Sequence, residues 1–327
     1  MAGRREFLRD LGISAVSGAA LLSATRAYGN PGPEPDRGTG KRVRVGIIGA
    51  ENSHSRAFGK MFNIEKKFPG VEVVAIWGET DEFAKHSAGV GGIKKIVKEQ
   101  SELLGMVDAV IIDHRHAKYH VQAAVPFIEA GIPTFVDKPF SYRFYEGRML
   151  LELAEKHKTP ITCLSSIGVG PAVEDMAAQV KEIEDEILSI VITGPADISS
   201  KYGGIFFYGI HIIEQLFKIF GNDAVAVRAT RHGKRTTFQI KFKSGHLATA
   251  LLCRERQVFC VTDKGAKEIK SRIEGHKDLY MNMYGSIVRM FQTGEEPRSH
   301  ASILKTVAVL EAMERSVSSE KWEMLLG

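Results

Sequence analysis

Cysteine is scarce in this sequence, with only Cys163, Cys253 and Cys260 among 327 residues. The count is odd and no two of them have C-x-x-C spacing, which excludes a disulfide framework and a cysteine zinc site. We expect each cysteine to fill buried space. Oxidation of one pair after export is left open.

A surplus of charge of one sign is also lacking. The net charge is +5, and residues 1–27 carry +2 of it through four arginines and two acids, so that about +3 remains for the rest of the chain. This surplus is too small to indicate nucleic-acid binding, and no basic run alternates with aromatic residues. The composition, 44% hydrophobic and 25% charged, is typical of a soluble globular protein of about two domains.

The N-terminal segment lacks a long hydrophobic run, because its apolar stretch from Ile13 to Leu22 is too short to span a bilayer. Arg4-Arg5-Glu6-Phe7-Leu8-Arg9 resembles the twin-arginine export signal, and Thr25-Arg26-Ala27 offers small residues for signal peptidase. Residues 1–27 are therefore predicted to be a twin-arginine signal peptide. We expect a periplasmic or other extracytoplasmic location, with no stable membrane anchor after cleavage. An uncleaved amphipathic arm is the alternative.

The remaining chain predicts two domains after a linker. Residues 28–40 are rich in proline and glycine and lack periodicity, which is typical of a linker. Strands and helices alternate from Lys41 onward, which predicts a Rossmann domain with a doubly wound parallel sheet over residues 41–165. Longer, half-buried strands follow, so residues 166–327 are predicted to form an α+β domain with a largely antiparallel sheet for substrate binding and oligomerisation. The fold class is α/β.

Several element bounds follow from these patterns. Apolar runs predict strands at Val43–Ile48, Val71–Trp77, Ala109–Ile112, Thr134–Val136 and Thr159–Ser165. In the second domain, a helix is predicted at Ile210–Ile219.

The first predicted strand runs into Gly49-Ala50-Glu51-Asn52-Ser53-His54. A dinucleotide-binding fingerprint, G-x-G-x-x-G, would place glycines at positions 49, 51 and 54, and only Gly49 is present. The second glycine normally lets the backbone approach the pyrophosphate, where this chain has Glu51. The turn therefore predicts the fold and leaves the cofactor open.

The acid that would grip the adenosine ribose is also displaced. Gly78 stands where that acid usually closes the second strand, and Glu79 follows one residue later. Glu79 is our candidate for this role, with an ordinary turn residue as the alternative.

Later motifs together resemble the Gfo/Idh/MocA oxidoreductases. The resemblance is carried by Val107–Ile112, His120, Glu129–Phe140 with its Asp137-Lys138-Pro139, Gly203–His211 and the segment from Gly294 to Trp322. It covers roughly residues 42–325. It implies an NAD- or NADP-dependent oxidoreductase that acts on a sugar, polyol or related carbohydrate by hydride transfer, and it implies a homo-oligomer.

The same resemblance implies a catalytic set. Lys138 matches the lysine that contacts the nicotinamide ribose and the substrate hydroxyl, and His211 matches the general acid/base. The family pattern has an aspartate four residues before this histidine, where this chain has Phe207. Glu214 lies on the same predicted helix face as His211 and is our candidate replacement. A surface lysine, a core histidine and a solvated glutamate are the structural alternatives.

The loop Asp113-His114-Arg115-His116 stands where the family has a Thr-Pro-Asn-like loop. With His120, His54 and His211 its side chains suggest a divalent metal, but Arg115 and Lys138 oppose a cation. We therefore predict no metal and favour an anionic ligand, for instance a carboxylated sugar. The predicted cofactor-binding set is Gly49, Glu51, Asn52, Ser53, His54, Glu79, Asp113, His114 and Lys138.

The departures keep two other functions open. One is a family member that performs non-redox carbohydrate chemistry, as a lyase or hydrolase with transient or no dinucleotide. The other is a non-catalytic sugar-binding protein. Neither the substrate nor the choice between NAD and NADP follows from the sequence.

Overall fold

The computed structural model of this chain describes residues 39–233, 235–273 and 279–327. The predicted signal peptide at residues 1–27 lies outside the described residues, as does the predicted linker at 28–40 except for its last two residues. Within the described ranges, no helix has the length and apolar character needed to cross a membrane.

The first half of the chain forms a six-stranded sheet. Its strands are β1 (Val43–Ile48), β2 (Val71–Trp77), β3 (Lys95–Ile96), β4 (Ala109–Ile112), β5 (Thr134–Val136) and β6 (Ile161–Thr162). All pairs are parallel and the order is β3-β2-β1-β4-β5-β6. This is the doubly wound arrangement, so the predicted fold class is confirmed.

Helices cover both faces of this sheet. They are α1 (Ser53–Gly59), which continues as a π-helical turn to Ile64, α2 (Asp81–Gly91), α3 (His120–Glu129) and α4 (Phe144–His157). Alternate residues of a strand point to opposite faces, and the buried β4 follows this rule. Ala109 and Ile111 belong to one apolar cluster with Phe58 of α1, whereas Val110 and Ile112 belong to another with Leu150 of α4.

A second sheet follows in the other half of the chain. Its strands are β7 (Ser189–Gly194), β8 (Ala224–His232), β9 (Arg235–Phe242), β10 (Leu247–Leu252), β11 (Val258–Thr262), β12 (Gly265–Glu268) and β13 (Trp322–Met324). The order is β12-β11-β7-β10-β9-β8-β13, and only the β7–β10 pair is parallel among the pairs described. The accompanying helices are α5 (Pro171–Lys181), α6 (Phe206–Phe220), α7 (Leu279–Thr293) and α8 (His300–Ser319).

One helix of the second half packs against the first sheet. Tyr284 of α7 lies edge-on to Phe58, with ring centroids 5.0 Å apart, and also contacts Phe62 and Phe68. Such aromatic pairs add to the stabilisation that burial provides. A helix more than 200 residues away in the sequence therefore completes the packing on the first sheet. The predicted domain boundary at residues 165/166 stays a prediction.

Three local expectations need correction. The helix predicted at Ile210–Ile219 begins earlier, at Phe206, because Gly203 and Gly204 at positive φ turn the chain directly into it. The predicted strand Thr159–Ser165 shrinks to β6, since the chain turns at Ser165, whose carbonyl accepts from the Gly168 N–H. Cys253 is exposed and not buried, because β10 ends just before it.

Candidate active site

A cavity of about 440 Å³ opens at the carboxyl edge of the six-stranded sheet, where parallel sheets bind their ligands. Its walls come from the turn after β1, from the end of β5, from the start of α6 and from the loop between β10 and β11. The predicted site residues that line it are Glu51, Asn52, Ser53, His54, Lys138 and His211.

Gly49, the one fingerprint glycine that is present, lies where the turn after β1 passes close to the end of β4. Gly49 has φ +109°, and a Cβ there would lie 2.6 Å from the carbonyl of Asp113. Any side chain would therefore collide with the end of β4. Asn52 then caps α1, with its side-chain oxygen 3.5 Å from the His54 N–H.

Glu79 and His114 satisfy each other at the end of β2. Oε1 of Glu79 lies 2.9 Å from Nδ1 of His114, and Oε2 accepts the N–H groups of Ala50 and Glu51 at 2.8 and 3.0 Å. Burial alone would raise the pKa of Glu79, but the hydrogen bonds from His114 and Ala50 outweigh it and lower the pKa to about 2. The predicted ribose acid is thus an ionised group that holds the turn.

Gly78 cannot carry the missing acid. A Cβ at this position would lie 2.8 Å from the Cβ of Ala50 and 2.9 Å from that of Ala84. The turn and α2 pack directly on the backbone of Gly78, so the acidic residue is displaced to Glu79.

Two buried carboxyl groups lie beneath the turn at the ends of β4 and β5. Asn52 donates from Nδ2 to both, at 2.8 Å to Asp113 and 3.0 Å to Asp137. Burial and the neighbouring Asp137 raise the pKa of Asp113 well above its usual range. Burial acts in the same direction on Asp137, but His54 and Lys138 outweigh it and lower its pKa. Asp113 therefore carries the proton of the pair and Asp137 the charge.

His54 occupies the position of the third fingerprint glycine and contacts Asp137. Its Nδ1 lies 3.1 Å from both carboxylate oxygens, with the histidine side chain 25% exposed and the aspartate 1% exposed. No described residue hydrogen-bonds to its Nε2. One face of this histidine is thus held by a buried carboxylate, while the ring lines the cavity.

Lys138 lies between Asp137 and the start of α6. Its Nζ is 4.0 Å from Oδ2 of Asp137, and it sits 5.5 Å from the ring centroid of Phe207 and 5.9 Å from that of Tyr208. The following peptide bond to Pro139 is cis. Aromatic faces stabilise a cation without neutralising it, so a charged ammonium faces the cavity.

His211 reaches the cavity from α6. Its Nδ1 lies 2.9 Å from Oγ of Ser165, a buried residue just after β6. Burial lowers the pKa of His211 well below its usual value, and the positive charges of Lys138 and Arg256 lower it further. The imidazole is therefore neutral at physiological pH.

Among the described residues, Glu214 is hydrogen-bonded to Arg298 and Thr306, and no hydrogen bond joins it to His211. Its Oε1 is 2.8 Å from Nη1 of Arg298 and accepts a hydrogen bond from Oγ1 of Thr306 at 3.0 Å. Both partners come from the region of α8, and helical spacing alone could not reveal them. The Glu214 carboxylate thus joins α6 to α8, and its predicted catalytic role stays a prediction.

The cavity lining is mainly cationic. Arg56, Arg115, Lys138 and Arg256 line it against one acid, Glu51. Glu51 accepts a hydrogen bond from the hydroxyl of Tyr202, and the guanidinium of Arg115 lies 4.3 Å from the centroid of the Tyr202 ring. The site is therefore suited to an anion.

The remaining histidines of the metal alternative have partners within the chain. His120 lies between the carbonyl oxygens of Pro139 and His114, at 2.9 and 2.8 Å, and burial lowers its pKa to about 4. His116 packs its ring 5.0 Å from that of Tyr142. Ligand atoms of His54, Asp113 and Asp137 do converge within 4.8 Å. Because the Asn52 amide and the Lys138 ammonium also occupy this space, we interpret the convergence as a hydrogen-bond network.

Sequence reasoning missed several residues of the site. Ser165 and Arg256 carry no motif, and only the fold brings them to His211 and to the cavity. Tyr202 precedes the Gly203-Gly204 pair, a signal that could have marked it. Asp137 was recognised only as part of the Lys-Pro motif, although its contact with His54 organises the site.

A doubly wound sheet with a ligand-sized cleft at its carboxyl edge defines the class of nucleotide-binding α/β proteins. Residues 43–164 match the model of the GFO_IDH_MocA family, described as "Oxidoreductase family, NAD-binding Rossmann fold". Over this segment the chain is similar to the Gfo/Idh/MocA oxidoreductases, and the description of the matched model supports the predicted NAD or NADP cofactor. No curated protein matches the sequence at a significant level.

Solved structures of this fold extend beyond the matched segment. The myo-inositol dehydrogenase of Lactobacillus casei, solved with NAD(H) and myo-inositol, is 14% identical, with a TM-score of 0.73 over 88% of this chain and 97% of its own. GenD2 from gentamicin A biosynthesis, solved with NAD, is 15% identical, with a TM-score of 0.74 over 91% and 100%. The WlbA dehydrogenase of Bordetella pertussis, solved with NADH and UDP-GlcNAcA, is 14% identical, with a TM-score of 0.69 over 88% and 99%. At such identities the likeness concerns the fold.

Proposed function

We propose that this chain is an NAD-dependent oxidoreductase that oxidises a hydroxyl group of a carboxylated sugar or polyol. One observation carries the proposal: the cavity at the carboxyl edge joins the turn after β1 to Lys138 and His211. The match of residues 43–164 to the Gfo/Idh/MocA family model and the sugar and polyol dehydrogenases among the similar solved structures support the reaction class.

The residues at the cavity mouth fit a dinucleotide. The Gly49 turn and the start of α1 form one side of the cleft, and Arg56 and Arg115 offer positive charge for phosphate groups. Glu79 stands at the end of β2, where this fold binds the adenosine ribose. A bound dinucleotide would supply the hydride acceptor. The side chains of this protein would accept the proton of the substrate hydroxyl and stabilise the negative charge on its oxygen.

Lys138 stabilises negative charge on the substrate oxygen. Its ammonium is held by Asp137 on one side and by the rings of Phe207 and Tyr208 on another. A fixed cation in a partly dry site lowers the energy of a developing alkoxide more than a mobile one in water would. His211, which is neutral, would donate a hydrogen bond to the same oxygen.

A carboxylate on the substrate would match the charge of the cavity. Arg256 lines the cavity from the loop between β10 and β11. Arginine binds carboxylates through two parallel hydrogen bonds, which fixes orientation as well as affinity. We therefore assign Arg256 to recognition of an acidic sugar.

The charge at the end of β2 favours NAD over NADP. Glu79 is ionised, and a 2′-phosphate on the adenosine ribose would approach a like charge. Among the described residues, no lysine or arginine forms an ion pair with Glu79, whose side-chain partner is His114.

Two further properties are proposed from the sequence. The Arg4-Arg5-Glu6-Phe7-Leu8-Arg9 segment supports export by the twin-arginine route to the periplasm. That route carries folded proteins, which suits a protein that binds its dinucleotide before export. Self-association through the second sheet is proposed from the family resemblance alone.

A turnover assay tests the proposal. The full chain is mixed with NAD⁺ or NADP⁺ and with D-glucose, D-glucuronate, D-galacturonate or myo-inositol, and reduced nicotinamide is followed by absorbance. We expect turnover with NAD⁺ and a uronate to exceed that with the neutral sugar. Arg256→Met should raise KM for the uronate about tenfold, while the matched Arg254→Met, whose side chain does not line the cavity, should leave it unchanged.

The other functions predict different results. Bound dinucleotide without net turnover would favour non-redox chemistry with transient hydride transfer. Sugar binding without dinucleotide binding would favour a non-catalytic binding protein and would refute the proposed function.

A further inference from the structure

We propose that His54, oriented by Asp137, is the proton acceptor for the substrate hydroxyl. The inference rests on the proposed function, because it assigns a role within that oxidation. The family resemblance assigns this role to His211, so the two histidines of the cavity must be compared.

The environment of His54 is that of an oriented base. Its Nδ1 lies 3.1 Å from both oxygens of Asp137, a carboxylate that is 1% exposed. An ionised carboxylate can only accept, so Nδ1 carries the hydrogen and the neutral ring keeps its lone pair on Nε2. Nε2 has no hydrogen-bond partner in the described ranges, and the ring lines the cavity. This nitrogen is free to take a proton from a ligand.

The charge of Asp137 is fixed by its other neighbours. Asn52 donates to its Oδ2 at 3.0 Å, and Lys138 Nζ lies 4.0 Å from the same oxygen. A histidine between a buried carboxylate and a reacting group gains basicity, because the carboxylate stabilises the imidazolium that forms. Asp137 is thus a positioning residue for His54.

The environment of His211 is that of a donor. Oγ of Ser165 is 2.9 Å from Nδ1 of His211 and accepts a weak hydrogen bond from the Ile167 N–H at 3.4 Å. The Ser165 hydroxyl therefore needs an acceptor for its own hydrogen, and we assign Nδ1 of His211 as that acceptor. The hydrogen of the neutral ring is then on Nε2, which can donate to a substrate oxygen but cannot accept from it. Phe207 stands where the family has a carboxylate, and the positive charges of Lys138 and Arg256 oppose an imidazolium at His211 more strongly than the charge of Asp137 supports it.

In this oxidation the O–H bond of the substrate breaks and its proton bonds to Nε2 of His54. The C–H bond breaks with its electron pair, for which a bound dinucleotide would supply the hydride acceptor, and the carbon–oxygen bond becomes a carbonyl. Lys138 and the Nε2–H of His211 stabilise the oxygen while its charge develops.

Two-bond ¹H–¹⁵N correlation spectra of ¹⁵N-histidine-labelled full chain test the tautomers without any ligand. We expect His54 in the Nδ1–H form and His211 in the Nε2–H form, assigned with the variants His54→Asn and His211→Asn. Asp137→Asn should shift the His54 resonances toward the mixed tautomers of a free histidine, and the exposed His86 should not change. An Nε2–H tautomer for His54 would overturn the inference whatever the turnover assay shows.

The pH dependence of kcat/KM with NAD⁺ and D-glucuronate supplies the second readout. In the wild type we expect kcat/KM to fall at acid pH, because a protonated base cannot accept the substrate proton. His54→Asn should lower kcat/KM at least 100-fold and remove this acid-side fall. His211→Asn should lower kcat/KM about tenfold and keep the acid-side fall. His54 is surrounded by the carboxyl groups of Asp113 and Asp137 and by His211. The other titratable or charged groups that line its cavity are Glu51, Arg56, Arg115, Lys138, Tyr208, Arg256 and Tyr280. His86→Asn is the matched control.

Each outcome decides a different claim. If wild type turns over and His54→Asn matches it, the inference fails and the proposed function stands. If His211→Asn, and not His54→Asn, removes the fall of kcat/KM at acid pH, the proton acceptor is His211 and the inference fails. If wild type turns over no substrate with either dinucleotide, the proposed function fails and the assignment of a proton acceptor fails with it.

Discussion

At the β2 end of the carboxyl edge, formed by Glu79 and His114, the side chains bind each other and the turn after β1. At the reaction end, formed by His54, Lys138 and His211, the side chains line a cavity of about 440 Å³. Both ends contain an acid–histidine pair. The difference is the surroundings of the histidine ring: the His54 ring lines the cavity, whereas the His114 ring packs against the rings of Tyr119 and Trp77. Acid–histidine pairing alone therefore does not indicate catalysis, whereas pairing beside a cavity does.

The largest effect should come from removing the cation of the reaction end. We expect Lys138→Met to lower kcat by 10²- to 10³-fold, on the order of the loss of one donor to a developing oxyanion. Lys156→Met, on the exposed face of α4, is the matched control and should retain activity. If Lys138→Met is folded and as active as the wild type, Lys138 does not stabilise the substrate oxygen.

The β2 end should respond in stability. Glu79→Ala leaves the N–H groups of Ala50 and Glu51 without their acceptor, so we expect a loss of about 2 kcal/mol in the free energy of unfolding at pH 7. Urea unfolding measures this loss. A wild-type midpoint in Glu79→Ala would show that Glu79 does not hold the turn.

The charge of Glu79 gives this stability a pH dependence. Its pKa is about 2 in the folded chain against an ordinary value of 4.5. A lowered pKa stabilises the folded state above the unfolded value and ceases to do so as the pH falls toward the folded value. Wild type should therefore lose more stability than Glu79→Gln between pH 5 and about 2.

Glu79 should also set the choice of dinucleotide. We expect Glu79→Gln to narrow the preference for NAD⁺ over NADP⁺ in kcat/KM by about tenfold, equivalent to ~1.4 kcal/mol. Glu82→Gln is the matched control. It also removes one carboxylate charge, but from an exposed side chain at the start of α2 that does not contact the turn after β1. An unchanged ratio in Glu79→Gln would mean that the ribose does not lie near this carboxylate.

The smallest effect should come from a histidine outside both ends. His300 lies 3.0 Å from Glu155 and 3.1 Å from Glu296, and the hydrogen bond to Glu296 raises its pKa. A raised pKa stabilises the folded chain below the unfolded value, about 6.5, and the effect is lost as the pH rises through the folded value. His300→Gln should cost less than about 1 kcal/mol at pH 5.5 and nothing at pH 9. A cost that is equal at both pH values would contradict this assignment.

The sequence predicted the strands of the first sheet well, because buried parallel strands such as β1 and β4 are short apolar runs with clear ends. It also predicted that the turn after β1 and Lys138 lie at one edge, since residues at the ends of parallel strands meet there. His211 lies on a helix, and only the family resemblance assigned it to the same site. It could not predict that α7 completes the first layer through Tyr284, because nothing local encodes a contact over such a distance.

The departures from the family pattern could be seen in the sequence, but their consequences could not. Gly78 is explained by the packing of Ala50 and Ala84, which depends on how the turn and α2 meet. Glu214 has the helical spacing that a partner of His211 needs, yet Arg298 and Thr306 bind it from a segment more than 80 residues away. Spacing predicts which residues share a face and not which charge on a distant helix competes for them.

Native mass spectrometry of the full chain, purified without added nucleotide, tests the central claim most directly. The account predicts NAD(H) bound at close to one per chain, or an empty site that fills when NAD⁺ is added. A site that stays empty with both NAD⁺ and NADP⁺ would contradict it, since the cationic cavity would then serve some other anion.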